Sequence, residues 1–160
     1  MPNFRTHTSA NLFALIAADG LLLYNGIDFT TVGQITLGGV LSTFLLSPDL
    51  DLSNSTSSAD WGILEILFLP YSKSFHHRGI SHMPVVGTLT RYLYIVLLLV
   101  LVGLVINIVW GVNFSFDPEG ILGAIGYIFI GSVFVDSVHY LLDMTLHGHS
   151  DNIHKRFTKR

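Results

Sequence analysis

The chain contains no cysteine, which excludes disulfides and thiolate metal sites while leaving the compartment open. Charge is scarce as well. Only 12% of residues are Asp, Glu, Lys or Arg, against about 25% in ordinary globular proteins. The basic residues number eight, are scattered, and leave a net charge of -3 with histidine neutral. No basic patch tracks a phosphate backbone, so no nucleic-acid partner is expected. No internal repeat is visible. Asp19 interrupts the first apolar run and no small-x-small cleavage site follows it, so the N-terminus is read as a helix rather than a cleaved signal.

Hydrocarbon is what the sequence does have. Half of its 160 residues are hydrophobic and the mean hydropathy is +0.57, a balance that points to a membrane. Tyr92 to Val112, YLYIVLLLVLVGLVINIVWGV, carries no charge and has Asn107 as its only strongly polar residue. It is long enough to cross hydrocarbon, which takes about 20 residues. Ile121 to Leu142 is long enough too, with Asp136 and His139 near its end. Two shorter apolar segments precede them, Ala10 to Asn25 and Val32 to Leu46. Between the second and third segments, SNSTSS (53–58) is a polar linker and WGILEILFLPY (61–71) a short apolar helix, capped by Asp60 and ended by Pro70. Trp61 and Tyr71 at its ends suit a membrane interface.

These segments predict an all-α integral membrane bundle of about four helices, with a short interfacial helix between helices two and three. Residues 1–146 form the helical domain, and 147–160 a polar, basic cytoplasmic tail. With the N-terminus inside, all eight Lys and Arg fall on the inner side, as the positive-inside rule requires. The expected location is a bacterial inner membrane or another cellular membrane, multi-pass, with both termini cytoplasmic.

The same topology places every histidine on the inner side. Asp49 and Asp51 of SPDLD follow helix two directly; Asp136, His139 and Asp143 are spaced i, i+3, i+7 on helix four and share one face. His7 and Asn11 share a face at the start of helix one. The densest cluster is HHRGISH (76–82). There His77 and His82 flank Gly79, which permits a backbone conformation other residues resist, so both imidazoles can converge on one ion. Arg78 cannot ligate a cation but is shaped to grip a phosphate or carboxylate through paired hydrogen bonds, and Ser81 can donate to the same anion.

Charged groups at membrane depth are costly and usually mark function. A divalent cation relieves both the cost and the mutual repulsion of the carboxylates. Imidazole and carboxylate are ligands that zinc, manganese and iron accept. Seven plausible ligands at this depth are too many for one tetrahedral ion and would serve two ions about 3.5–4 Å apart. Blander roles are assigned to the rest. Asp19 is a helix–helix hydrogen-bond partner, Glu65 lies on the polar side of the short helix, and His147, His149 and His154 decorate the tail.

SPDLDL (47–52), DWGILEILFLPY (60–71) and HRGISHMPVVGTLTR (77–91) together resemble an uncharacterised family of metal-binding membrane proteins of cyanobacteria and other bacteria. More distantly, PDLD and HRG-x-SH resemble inner-membrane metal-dependent hydrolases. The resemblance implies a helical membrane protein with a divalent metal site formed by His7, Asp49, Asp51, His77, His82, His139 and Asp143. Met83 departs from the small or polar residue usual at that place. Ser132, His139 and Asp143 also have the spacing of membrane phosphatidic-acid-type phosphatases, but Val133 stands where that pattern needs arginine.

The leading expectation is a metal-dependent hydrolase. Asp51 or Asp136 would act as base or orient the water, and Arg78 and Ser81 would hold a phosphate-bearing or other anionic, lipid-like substrate. The alternatives are a non-enzymatic metal-handling membrane protein, or a structural one whose polar cluster pins the bundle.

Overall fold

Where an apolar chain buries little polar surface, its backbone must satisfy itself, and helices do so within one segment. The structure, a computed structural model, describes residues 4–48, 61–74, 83–112 and 118–157, and among them every element is helical. Helix α1 is Phe4–Tyr24 and α2 is Phe29–Phe44. A 3-10 segment, Gly62–Phe68, runs into the short α3, Leu69–Ser74. The long α4 is Pro84–Trp110 and α5 is Pro118–Phe157.

The boundaries follow local chemistry. Asn25 caps the end of α1 by donating from Nδ2 to the Leu21 carbonyl at 2.8 Å. Asp28 caps α2, accepting from Thr31 N at 2.9 Å and from Thr31 Oγ1 at 2.6 Å. These bonds hold the Asp28 carboxyl below its usual range. Gly111, at φ 66°, takes the left-handed conformation that closes α4, its N–H bonding the Asn107 carbonyl.

Three expected boundaries move. Pro84 sits in the first turn of α4, where a missing N–H costs nothing. The helix therefore starts eight residues before Tyr92 and takes in Arg91. By the same logic Pro70 does not end the short helix; it lies in the first turn of α3. Helical backbone in α5 also runs on to Phe157, through most of the segment expected as a tail.

Four long helices flank one short helical stretch, as the sequence predicted. Among the described residues, two helices are long and apolar enough to cross a membrane: Pro84–Trp110, and Leu122–Thr145 within α5. Their surroundings differ. The membrane-length window of α4 is entirely unburied, and the buried residues of α4 are Gly87, Thr88 and Arg91 of its first turns. Leu99, Val100, Leu101 and their neighbours show bare side chains.

The core lies between α2 and α5, which run parallel, while α1 and α4 each run antiparallel to α5. At Gly38 an added Cβ would stand 1.8 Å from the Ile128 carbonyl oxygen, and at Gly131 it would stand 1.9 Å from the Ile35 carbonyl oxygen. The two backbones meet with no side chain between them, the close approach that small residues allow in apolar bundles. Leu15 and Val135 close over Gly39 beside this crossing. Ser132, fully buried, donates to the Gly38 carbonyl at 2.8 Å and pairs with Tyr92 Oη at 2.7 Å. Asp19, as expected, bonds across the α1–α2 hairpin, accepting from Thr36 Oγ1 at 2.8 Å.

The crossing makes a direct prediction. Gly38→Ala has no room, because its obstacle is backbone, and should cost about 1–3 kcal/mol. Gly33→Ala meets nothing within 4 Å and should be neutral or gain up to about 1 kcal/mol from helix propensity. Thermal unfolding of the two variants in mild detergent checks the contrast; equal midpoints would contradict it.

Candidate metal centre

The antiparallel pairing of α1 with α5 brings the first turn of one against the later turns of the other. His7 and His139 are both buried, and their imidazoles stack with centroids 4.0 Å apart and planes 16° from parallel. Asp143, one turn beyond His139, faces both rings. His7 Nε2 lies 3.3 Å from one of its carboxylate oxygens, and His139 Nε2 lies 3.7 Å from the other. One potential ligand atom from each of the three residues falls within 4.8 Å of the others.

Those spacings bear on what the cluster can hold. The longer separation exceeds a hydrogen bond. Ligand atoms about 2.0–2.2 Å from a tetrahedral ion stand about 3.3–3.6 Å apart, close to both values. The donors, two imidazoles and a carboxylate, are those a divalent transition metal accepts. His7 Nδ1 is also buried without a hydrogen-bond partner among the described residues. Leaving such an atom open costs about 1–3 kcal/mol. On donor type and spacing, the residues fit a divalent cation.

Asp136 shares the helix face but not the cluster. Its buried carboxylate accepts from Ser42 Oγ at 2.5 Å, from Thr88 Oγ1, and from Arg91 Nη2, with which it forms an ion pair. The expected base is thus held by a cation and two hydroxyls. Arg91, 2% exposed, also donates from Nη1 to the Leu46 carbonyl at 2.7 Å and from Nε to the Gly87 carbonyl at 3.1 Å. One guanidinium therefore joins the end of α2, the start of α4 and the middle of α5. Leu46 and Ser47, the entry to SPDLD, are buried beside it. The Trp61 indole donates to the neighbouring Leu45 carbonyl at 2.9 Å.

The structure brings together His7, His139 and Asp143 of the expected site residues. Asp49, Asp51, His77, Arg78, Ser81 and His82 lie outside the described residues, as does His76. Ser132 serves the α2–α5 crossing, which leaves the phosphatase-like spacing without a free hydroxyl. Arg91, Thr88 and Ser42 were not anticipated. The usable signal was an arginine in one apolar helix and an aspartate deep in another, because opposite charges at such depth pair.

A chain whose described elements are all helical, and which draws two buried histidines and a half-buried aspartate together, is a candidate metal-binding protein, and the comparisons agree. Residues 2–157 match the family described as "uncharacterized metal-binding protein (DUF2227)", and the chain belongs to that family. An uncharacterized protein of Aquifex aeolicus is 46% identical over 59 residues, which cover 37% of this chain and 42% of that relative. The match therefore spans less than half of the curated relative's length. No solved structure matches the chain.

The ion pair yields a test. Arg91→Met strands the Asp136 carboxylate and should destabilise by about 3–5 kcal/mol. Adding Asp136→Leu removes the stranded charge and should restore much of that loss. Denaturant unfolding of the two variants measures it; a double variant less stable than Arg91→Met would refute the pairing.

Proposed function

We propose that the chain is a membrane-embedded divalent-metal protein acting as a metal-dependent hydrolase on a phosphate-bearing or other anionic, lipid-like substrate at the cytoplasmic face. The observation that carries the metal reading is the convergence of His7, His139 and Asp143 in a chain of a metal-binding family. The bare apolar surface of α4 supports the membrane. A soluble core helix of this hydropathy would be covered, and this one is not.

Asp49, Asp51, His77 and His82 complete the ligand set in this reading, with room for a second ion. A divalent cation so held supplies a water activated near neutral pH. Among the chain's own groups, Asp51 is the base, because Asp136 is engaged by Arg91. Arg78 and Ser81 hold the anionic group. Both termini lie on the cytoplasmic side of a multi-pass bundle, with all basic residues on that side.

The protein purified in detergent should carry stoichiometric zinc, manganese or iron, and His139→Ala and Asp143→Ala should lose it. Chelation should lower the thermal midpoint, since an ion bound only by the folded state contributes about 2.7 kcal/mol at a hundredfold excess over its Kd. Phospholipid and phosphomonoester hydrolysis should fall with Asp51→Ala. A wild-type protein without metal sinks the reading. Metal retained without hydrolysis of either substrate class leaves the metal-handling alternative.

A further inference from the structure

Buried side-chain atoms without a hydrogen-bond partner among the described residues are His7 Nδ1, Thr8 Oγ1, Asn11 Oδ1 and Asp19 Oδ1. All four belong to α1, and three fall within its first turns. Folded proteins rarely leave such atoms open. Asp19 already holds Thr36 with its other oxygen. Of the remaining three, His7 belongs to the His7, His139 and Asp143 cluster, and Thr8 and Asn11 follow it by one and four residues on the same helix. Asn11 is 3% exposed. It follows His7 by four residues, so the two side chains are neighbours on one helix face, their Cβ atoms about 5–6 Å apart. Helical side chains lean toward the N-terminus, which for Asn11 is toward His7.

We propose that Asn11 is part of the metal centre, its amide oxygen serving as a ligand of the cation that His7, His139 and Asp143 hold. This rests on the metal-binding reading above. An apolar residue would fill this buried position without stranding a polar oxygen, so the amide is costly there unless something bonds to it. The resulting set is two imidazoles, a carboxylate and a neutral amide oxygen. Carbonyl and carboxylate oxygens suit manganese and magnesium, whereas imidazole suits zinc and iron. Asn11 therefore shifts a centre that zinc would otherwise dominate toward oxygen-preferring ions, manganese among them.

The test is titration of Mn2+ and of Zn2+ into detergent-purified wild type, Asn11→Ala, Asn11→Asp and His139→Ala. Asn11→Ala should weaken Mn2+ binding by at least about tenfold and Zn2+ binding less. Asn11→Asp, which keeps the shape and adds charge, should strengthen Mn2+ binding. In the metal-free state Asn11→Ala should unfold at the wild-type temperature or higher, because an open buried oxygen is gone, while the rise on adding Mn2+ shrinks. Wild-type Mn2+ affinity in Asn11→Ala overturns the proposal. So does a lowered midpoint of the metal-free variant with an undiminished Mn2+ response, the mark of a purely structural side chain. If Asn11→Ala does not fold, Asn11→Asp decides, and unchanged or weaker Mn2+ binding overturns the proposal. His139→Ala separates the two readings. Binding lost there but intact in Asn11→Ala removes Asn11 alone, whereas binding intact in both removes the whole centre.

Discussion

A single guanidinium holds the bundle's ends in register. Arg91 stands in the second turn of α4, pairs with Asp136 of α5, and reaches the Leu46 carbonyl just past the end of α2. Burying an arginine among apolar helices is unfavourable unless most of its donors are used, and here Nε, Nη1 and Nη2 all donate. Asp136 is matched as fully, with Ser42 and Thr88 on its two oxygens. His139 follows Asp136 by three residues, so the same pair that fixes α2 and α4 also fixes the rotation of α5. That rotation decides where the imidazole points. The His7, His139 and Asp143 cluster is thus built on a polar network that lies outside it.

The second constraint is steric. Gly38 and Gly131 let α2 and α5 touch backbone to backbone, and only at that separation does Ser132 reach the Gly38 carbonyl. With little hydrophobic drive between helices in an apolar surrounding, such close packing and buried hydrogen bonds carry the association. Charge sits at one end of this crossing and glycine at its middle. The division lets the polar end be specific without leaving the apolar middle dependent on it.

Much of this was legible in the residues. Hydrophobic run length located four long helices, and i, i+3, i+7 spacing put Asp136, His139 and Asp143 on one face. The depth argument drew His7 toward them, and the structure brings His7, His139 and Asp143 together. What spacing alone could not resolve was which face-sharing residue serves which partner. Asp136 and Asp143 are carboxylates on one stripe, but a helix face two turns long can meet two neighbours. Asp136 meets α2 and α4, and Asp143 meets α1. Proline misled at Pro70 for a related reason. It disfavours helix interiors but suits first turns, and the sequence does not say which turn it occupies. Arg91 was placed in a loop because positive charge was counted only as a topology signal.

The anchoring of α4 has a mechanical consequence. Its 27 residues make a rod about 40 Å long, fastened at the end that carries Arg91 and bare beyond it. In a bilayer with about 30 Å of hydrocarbon such a rod must lean, and thinner or thicker lipid would change the lean. The pivot is the Arg91–Asp136 pair, three residues from His139. Lipid thickness, acting on the far end of α4 as on a lever, would therefore be felt first at the hinge beside the His7, His139 and Asp143 cluster.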